Sequence, residues 1–196
     1  MKRVLNKLKS LYLILIFLIR NVYNALLLPQ VKTIRFDNYY IHALDRKRIK
    51  AAIELYERLS IRKKMPPKMK LLYWLIGKKL CIIATNNKGR LIGAGFYYFN
   101  KRDIKDKTIH QTFTGVVENM QRKGIVTQIR THAINNFAKS FIEGVSSRVN
   151  INNEPSLAIN LKIGFKIVEE YYDEKLGVKR YYLVYRFKEN IANKDV

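Results

Sequence analysis

The run Gln121-Arg122-Lys123-Gly124-Ile125-Val126-Thr127 holds the residue types that a phosphate site needs. A glycine-bearing turn that opens a helix leaves backbone N–H groups without internal partners. It aims them, together with the positive helix end, at one spot. Gly124 permits a close backbone approach. Arg122 and Lys123 add positive charge, and the Thr127 hydroxyl adds a donor, although a threonine there is also an ordinary first-turn residue. The chemistry this turn suits is the binding of a phosphate or pyrophosphate. Upstream, His110 shares a strand face with Thr112, Thr114 and Glu118 by two-residue alternation, and an imidazole with a pKa of about 6.5 is apt for moving a proton at neutral pH. Downstream lies a second polar block, Asn152-Asn153-Glu154-Pro155-Ser156, followed by Asn160 and Gly164-Phe165. Metal chemistry is not expected: His42, His110 and His132 are scattered, and the single Cys81 excludes both a cysteine cluster and an internal disulfide.

These residues need a strand, a turn, a helix, a strand and a helix in succession. The sequence supplies them. A strand begins at Thr108. The helix after Gly124 shows Ile125, Ile129, Ala133, Phe137 and Phe141 on one face. A strand follows at 144–151, then a helix with Pro155 in its first turn and Gly164 at its end. Two strands at 166–174 and 180–187 close the chain. Ahead of Thr108 the pattern predicts a strand at 33–44 and a helix at 46–60 whose buried stripe is Ile49, Ala52, Ile53, Tyr56 and Leu59. Pro66-Pro67 then breaks the chain, and a short apolar helix at 69–76 carries the only tryptophan, Trp74. Strands at 79–85 and 90–99 are joined by the Asn86-Asn87-Lys88-Gly89 hairpin turn, and a charged loop covers 100–107.

The chain has 196 residues, 48% of them apolar and 12% aromatic, which is enough for one core and excludes wholesale disorder. Its 38 Lys and Arg against 15 Asp and Glu give a net charge of +23. Such a field favours anionic partners: nucleic acid, an anionic lipid surface or a phosphorylated cofactor, with solvated surface charge as the plain alternative. Residues 1–29 stand apart. Val4, Leu5, Leu8, Leu11, Tyr12, Leu15, Ile16, Ile19, Val22, Tyr23 and Leu26 form one helical stripe. A cleaved leader is disfavoured because Arg20-Asn21-Val22-Tyr23 offers no small-residue cleavage site. A spanning helix over 11–28 would place Arg20, Asn21 and Asn24 in hydrocarbon at a cost of about 2–3 kcal/mol for the charge alone. An interfacial helix with its basic residues at head-group level fits the pattern. Packing against its own domain or a second subunit is the alternative. The expected layout is an amphipathic helix at 1–29, a domain at 30–190 and a polar tail at 191–196.

The order of elements over about residues 31–188 resembles the GNAT superfamily of acyl-CoA N-acyltransferases. The family's pyrophosphate signature is Gln or Arg, two residues, Gly, one residue, then Gly or Ala; here it is Gln121-Arg122-Lys123-Gly124-Ile125-Val126, with Val126 departing at the last position. The block Asn152 to Phe165 is similar to the family's second cofactor segment. The resemblance implies an α/β (α+β) fold: a mixed, mostly antiparallel sheet of about seven strands, flanked by helices, plus the extra N-terminal helix. It implies acetyl-CoA as acyl donor, with its pyrophosphate on the amides of Arg122 to Thr127. The pantetheine arm would pair along Val116, Val117 and Glu118, with Asn152 and Ser156 reaching it from the neighbouring segment. The position at which some family members place a general-base glutamate falls on His110, with Glu118 as second candidate acting through water. The family's acid, a tyrosine, falls on Asn160, which hydrogen-bonds but cannot protonate a leaving thiolate. The implied acceptor is an amine. Basic, aromatic-rich surroundings and the N-terminal helix suggest a small or lipid-linked amine, such as an amino sugar on a nucleotide- or lipid-linked surface-polysaccharide precursor, acetylated at the cytoplasmic face of the membrane. An enzyme directed at aminoacyl-tRNA, a non-catalytic nucleic-acid-binding protein and a homodimer are the other readings.

Overall fold

The apolar run Cys81-Ile82-Ile83-Ala84, with its two β-branched isoleucines, suits a strand covered on both faces, and it is buried throughout in the sheet. The structure, a computed structural model, describes residues 2–60 and 63–188. Among the described residues, eight strands form one sheet in the order β1-β2-β3-β4-β5-β6-β8-β7. They are β1 (Ile34–Arg35), β2 (Tyr39–Ala43), β3 (Cys81–Asn86), β4 (Leu91–Tyr98), β5 (Thr108–Val116), β6 (Gly144–Asn150), β7 (Lys166–Asp173) and β8 (Val178–Arg186). All neighbours are antiparallel except β5 and β6. The helices are α1 (Lys2–Leu26), α2 (Ile49–Leu59), α3 (Pro67–Leu80), α4 (Lys101–Lys105), α5 (Ile125–Phe137) and α6 (Glu154–Ile163).

The strand expected at 33–44 is instead a hairpin, because Asp37-Asn38 turns the chain and Phe36 stacks on Tyr39 at 4.5 Å. That makes eight strands. The loop expected at 100–107 contains α4, which closes through a capping box between Asn100 and Asp103. Helix α3 begins two residues before the expected 69–76 and breaks at Ile76 (φ −134°, ψ 19°), close to the expected end; a further turn runs to Leu80, where β3 follows.

Helices α2 and α3 cover one face of the sheet, where Tyr56 and Tyr73 pack on Phe96. Helix α5 covers the other, and Ile129 lies so close over Gly93 and Gly95 that a Cβ at either would meet it at 3.0 Å. Strands β5 and β6 pair only from Thr108–Gly144 to Gln111–Ser147 and then part. Phe96 pairs with Phe113 but Tyr97 with Gln111, so Thr112 is an extra, bulged residue.

Helix α1 docks through the face opposite to its apolar stripe. Phe17, Asn21 and Ala25 are buried, and Lys68 of α3 lies 4.9 Å over the Phe17 ring. Asn21 acts as a clamp: its Oδ1 accepts from Phe99 N at 2.6 Å and its Nδ2 donates to Phe99 O at 2.9 Å. Asn21→Leu keeps the size and strands the Phe99 N–H, so we expect a loss of about 2–3 kcal/mol, a fall of roughly 5–10 °C in the thermal melt. An unchanged melt would mean that α1 does not dock in solution.

Candidate active site

Where β5 and β6 part, a cleft of about 390 Å³ opens between them, roofed by α5 and α6. Its β5 wall has an open backbone edge. Val117 N donates to Ile92 O at 2.9 Å, and backbone groups alternate in direction along a strand. Those of Val116 and Thr114 therefore face the cleft, while Val117 is committed to β4. An extended chain bearing amide groups could add to this edge as a strand does.

The mouth of the cleft is the start of α5. Gly124 precedes it with φ of 74°, and Arg122 is also left-handed at φ 60°. No side chain caps this helix. Its first internal bond is Gln128 N to Gly124 O at 3.0 Å, so the N–H groups of Ile125, Val126 and Thr127 point outward without an intrahelical acceptor. By contrast, Asn153 caps α6 through Ser156 N. No protein atom lies within 4 Å of where a Cβ at Gly124 would stand. Glycine is needed for the left-handed backbone.

The expected site residues divide. Gln121, Val116, Val126 and Ser156 line the cleft. Arg122 and Lys123 are exposed at its mouth and Thr127 is half-buried, whereas the Ile125 side chain is in the core and offers only its N–H. Glu118 begins a short 3-10 turn, exposed and outside the cleft. Asn152 is exposed in the turn after β6, and Asn150 and Asn153 line the cleft instead. Asn160 is fully buried, with Nδ2 donating to Ser156 O at 2.9 Å, and is not among the residues that line the cleft.

The common face expected for His110, Thr114 and Glu118 is broken by the bulge. Thr114 pairs with Gly95 and lies toward α5, while His110 pairs with Tyr98 on the opposite face. His110 is buried, edge-on to the Tyr98 ring at 5.3 Å. Its Nδ1 is 2.7 Å from Ser146 Oγ. Ser146 Oγ is in turn 2.6 Å from Asp103 Oδ1, which Thr108 Oγ1 also approaches at 3.0 Å. A carboxylate oxygen accepts both hydroxyl protons, so Ser146 can only accept from His110, whose proton then sits on Nδ1. The unprotonated ring nitrogen is Nε2, the form a proton acceptor requires. Burial raises the Asp103 pKa, partly offset by the hydrogen bonds it accepts from Ser146, Asn100 N and Thr108. Neither Ser146 nor Asp103 stands out in the sequence, because the contact spans two strands and a one-turn helix.

A second cavity, of about 110 Å³, lies on the α2 and α3 face, lined by Tyr56, Tyr73, Tyr98, Phe17 of α1 and the bulged Thr112. Thr112 borders both cavities. The large cleft also holds Arg130, Arg148 and Arg180, and among the described residues no acidic side chain lines it.

By sequence the chain matches no family model and no curated protein. By structure it matches acetyltransferases. One is Naa50 of Arabidopsis thaliana in complex with a bisubstrate analogue, with a TM-score of 0.65 and 16% identity over 76% of this chain and 99% of that one. The chain has the GNAT fold. A chimeric spermidine N-acetyltransferase SpeG from Vibrio cholerae aligns with a TM-score of 0.63 and 14% identity, over 78% of this chain and 98% of that one. The ribosomal-protein-S5-alanine acetyltransferase of Vibrio fischeri aligns at 0.62 and 13%, over 79% and 96%. At these identities the likeness is one of fold, and the activity of this domain rests on its own cleft.

Proposed function

We propose that the chain is an acetyl-CoA-dependent N-acetyltransferase, held at the cytoplasmic face of the membrane, that acts on an amine of a small or lipid-linked metabolite. The observation that carries this is the uncapped N-terminus of α5 at the mouth of a cleft whose β5 edge is open. Bound there, acetyl-CoA supplies an acyl carbonyl activated by a thiol leaving group. The N–H groups of Ile125 to Thr127 and the helix dipole suit its diphosphate, and the Thr114 and Val116 edge suits the amides of its arm. Arg130, Arg148 and Arg180 in the lining fit an anionic ligand.

The amine would approach from the face of Tyr98 and Thr112, where the smaller cavity meets the large one. His110 stands behind Tyr98, so a proton leaving the amine reaches Nε2 through a water or hydroxyl. Asp103 and Ser146 hold the imidazole in the accepting tautomer. We expect His110→Gln to lower kcat about 100-fold with acetyl-CoA affinity unchanged, and Asp103→Asn to act in the same direction. A wild-type rate in His110→Gln across roughly pH 6–9 would remove the base.

The membrane assignment rests on α1. Its apolar stripe faces outward, while Phe17, on its docked face, forms part of the acceptor-side cavity. A span is disfavoured because the docked half of the helix is tied to Phe99 and α3. The function is tested by calorimetry of the full-length chain with acetyl-CoA, against a mononucleotide. Saturable binding in the range of roughly 1 μM to 1 mM that needs the arm supports it; no saturable binding overturns it.

A further inference from the structure

Arg130 lies one helical turn beyond Val126 on α5 and is only 4% exposed. Its Nη2 is 3.3 Å from Ser156 Oγ, in the first turn of α6. Its Nε and Nη1 have no hydrogen-bond partner among the described residues. Arg180, on the same cleft, is neutralised by Asp173 at 3.0 Å; Arg130 has no such carboxylate among the described residues. Burial lowers its pKa to about 10, which leaves it charged at neutral pH. A buried cation with two idle donors is costly unless something supplies oxygen. A helical side chain leans toward its own N-terminus, which here brings the guanidinium toward the open start of α5 and beside the start of α6.

We propose that Arg130, with Ser156, forms an oxyanion subsite inside the cleft that binds a phosphate or carboxylate oxygen of the acyl donor. The proposal rests on the reading of the cleft as a CoA site. The anion has two possible sources: the diphosphate of the donor, or a carboxylate ending a dicarboxylic acyl group.

The test is calorimetry of full-length wild type, Arg130→Leu and Arg130→Gln with acetyl-CoA, succinyl-CoA and acetyl-pantetheine, alongside thermal melts without ligand. We expect both variants to lose about 100-fold in donor affinity, and Arg130→Leu to melt roughly 2–4 °C higher because the unpaired charge is gone. Equal losses for acetyl-CoA and succinyl-CoA, with acetyl-pantetheine unaffected, identify the diphosphate. A loss confined to succinyl-CoA identifies the acyl carboxylate. Unchanged affinities in folded variants overturn the subsite while leaving the acyltransferase reading intact. An equal loss for acetyl-pantetheine also overturns it, since a neutral carbonyl would then be the partner. If wild type binds none of the three, the CoA reading itself fails and the subsite falls with it.

Discussion

Gly124→Asp is expected to weaken acetyl-CoA binding by at least about 100-fold, the loss that truncating a buried charge contact brings, while the protein still folds. The two effects separate because they have different causes. The backbone at Gly124 is left-handed, a conformation that aspartate tolerates better than most residues, at a cost of about 1 kcal/mol. No neighbour lies within 4 Å of the new Cβ, so packing is not disturbed. A carboxylate there can also cap the free N–H groups of α5 and regain part of that cost. The same capping is fatal to ligand binding: the carboxylate takes the amides the diphosphate would use and repels it. Gly124→Ala is the control, since it carries the backbone strain without the charge; its affinity should fall little. The measurements are calorimetric affinity and thermal melt for both variants. Retained affinity in a folded Gly124→Asp protein would place the ligand elsewhere than on α5.

That glycine was legible in the sequence because a turn before a helix has few alternatives, and so were the hairpin at Asn86 to Gly89 and the order of elements from Thr108 to Phe165. What was hidden follows a pattern. Two-residue alternation put His110 and Thr114 on one face, but it assumes an uninterrupted strand, and the bulge at Thr112 reverses the phase. Asn150 and Asn153 line the cleft while Asn152 is exposed between them in the turn after β6, a distinction that three nearby asparagines do not show until that turn is known. Arg130 gave no signal, since arginine in a helix is ordinarily a solvated residue. Its burial beside Ser156 of α6 and Tyr97 of β4 is a tertiary event. The Asp103–Ser146–His110 chain joins α4, β6 and β5, and no local pattern spans that distance.

The apolar stripe of α1 was legible as a stripe but not as to what covers it, and the structure sharpens that question. Leu8, Leu11, Leu15 and Ile19 are each more than half exposed, while the docked face uses Phe17, Asn21 and Ala25. A soluble helix does the reverse and buries its stripe. Replacing Leu8, Leu11, Leu15 and Ile19 with Gln, a good helix former, should therefore leave the melt unchanged, because none of the four is buried on the domain. It should abolish binding to vesicles that contain anionic lipid. Four aliphatic side chains, each contributing about 1.5 kcal/mol or more when buried, amount to roughly 6 kcal/mol, or a partition constant lower by a factor of about 10⁴. Vesicle co-sedimentation of the full-length chain, read beside analytical ultracentrifugation, distinguishes the coverings. Loss of sedimentation with unchanged mass supports the membrane. If wild type is instead a dimer in the absence of lipid and the variant a monomer, the stripe is covered by a second copy. Undiminished vesicle binding by the variant would show that the net charge of +23 holds the protein at the surface without the stripe. The link between helix and acceptor would then have to come from Phe17 alone, which reaches the cavity beside Thr112 whichever surface α1 lies on.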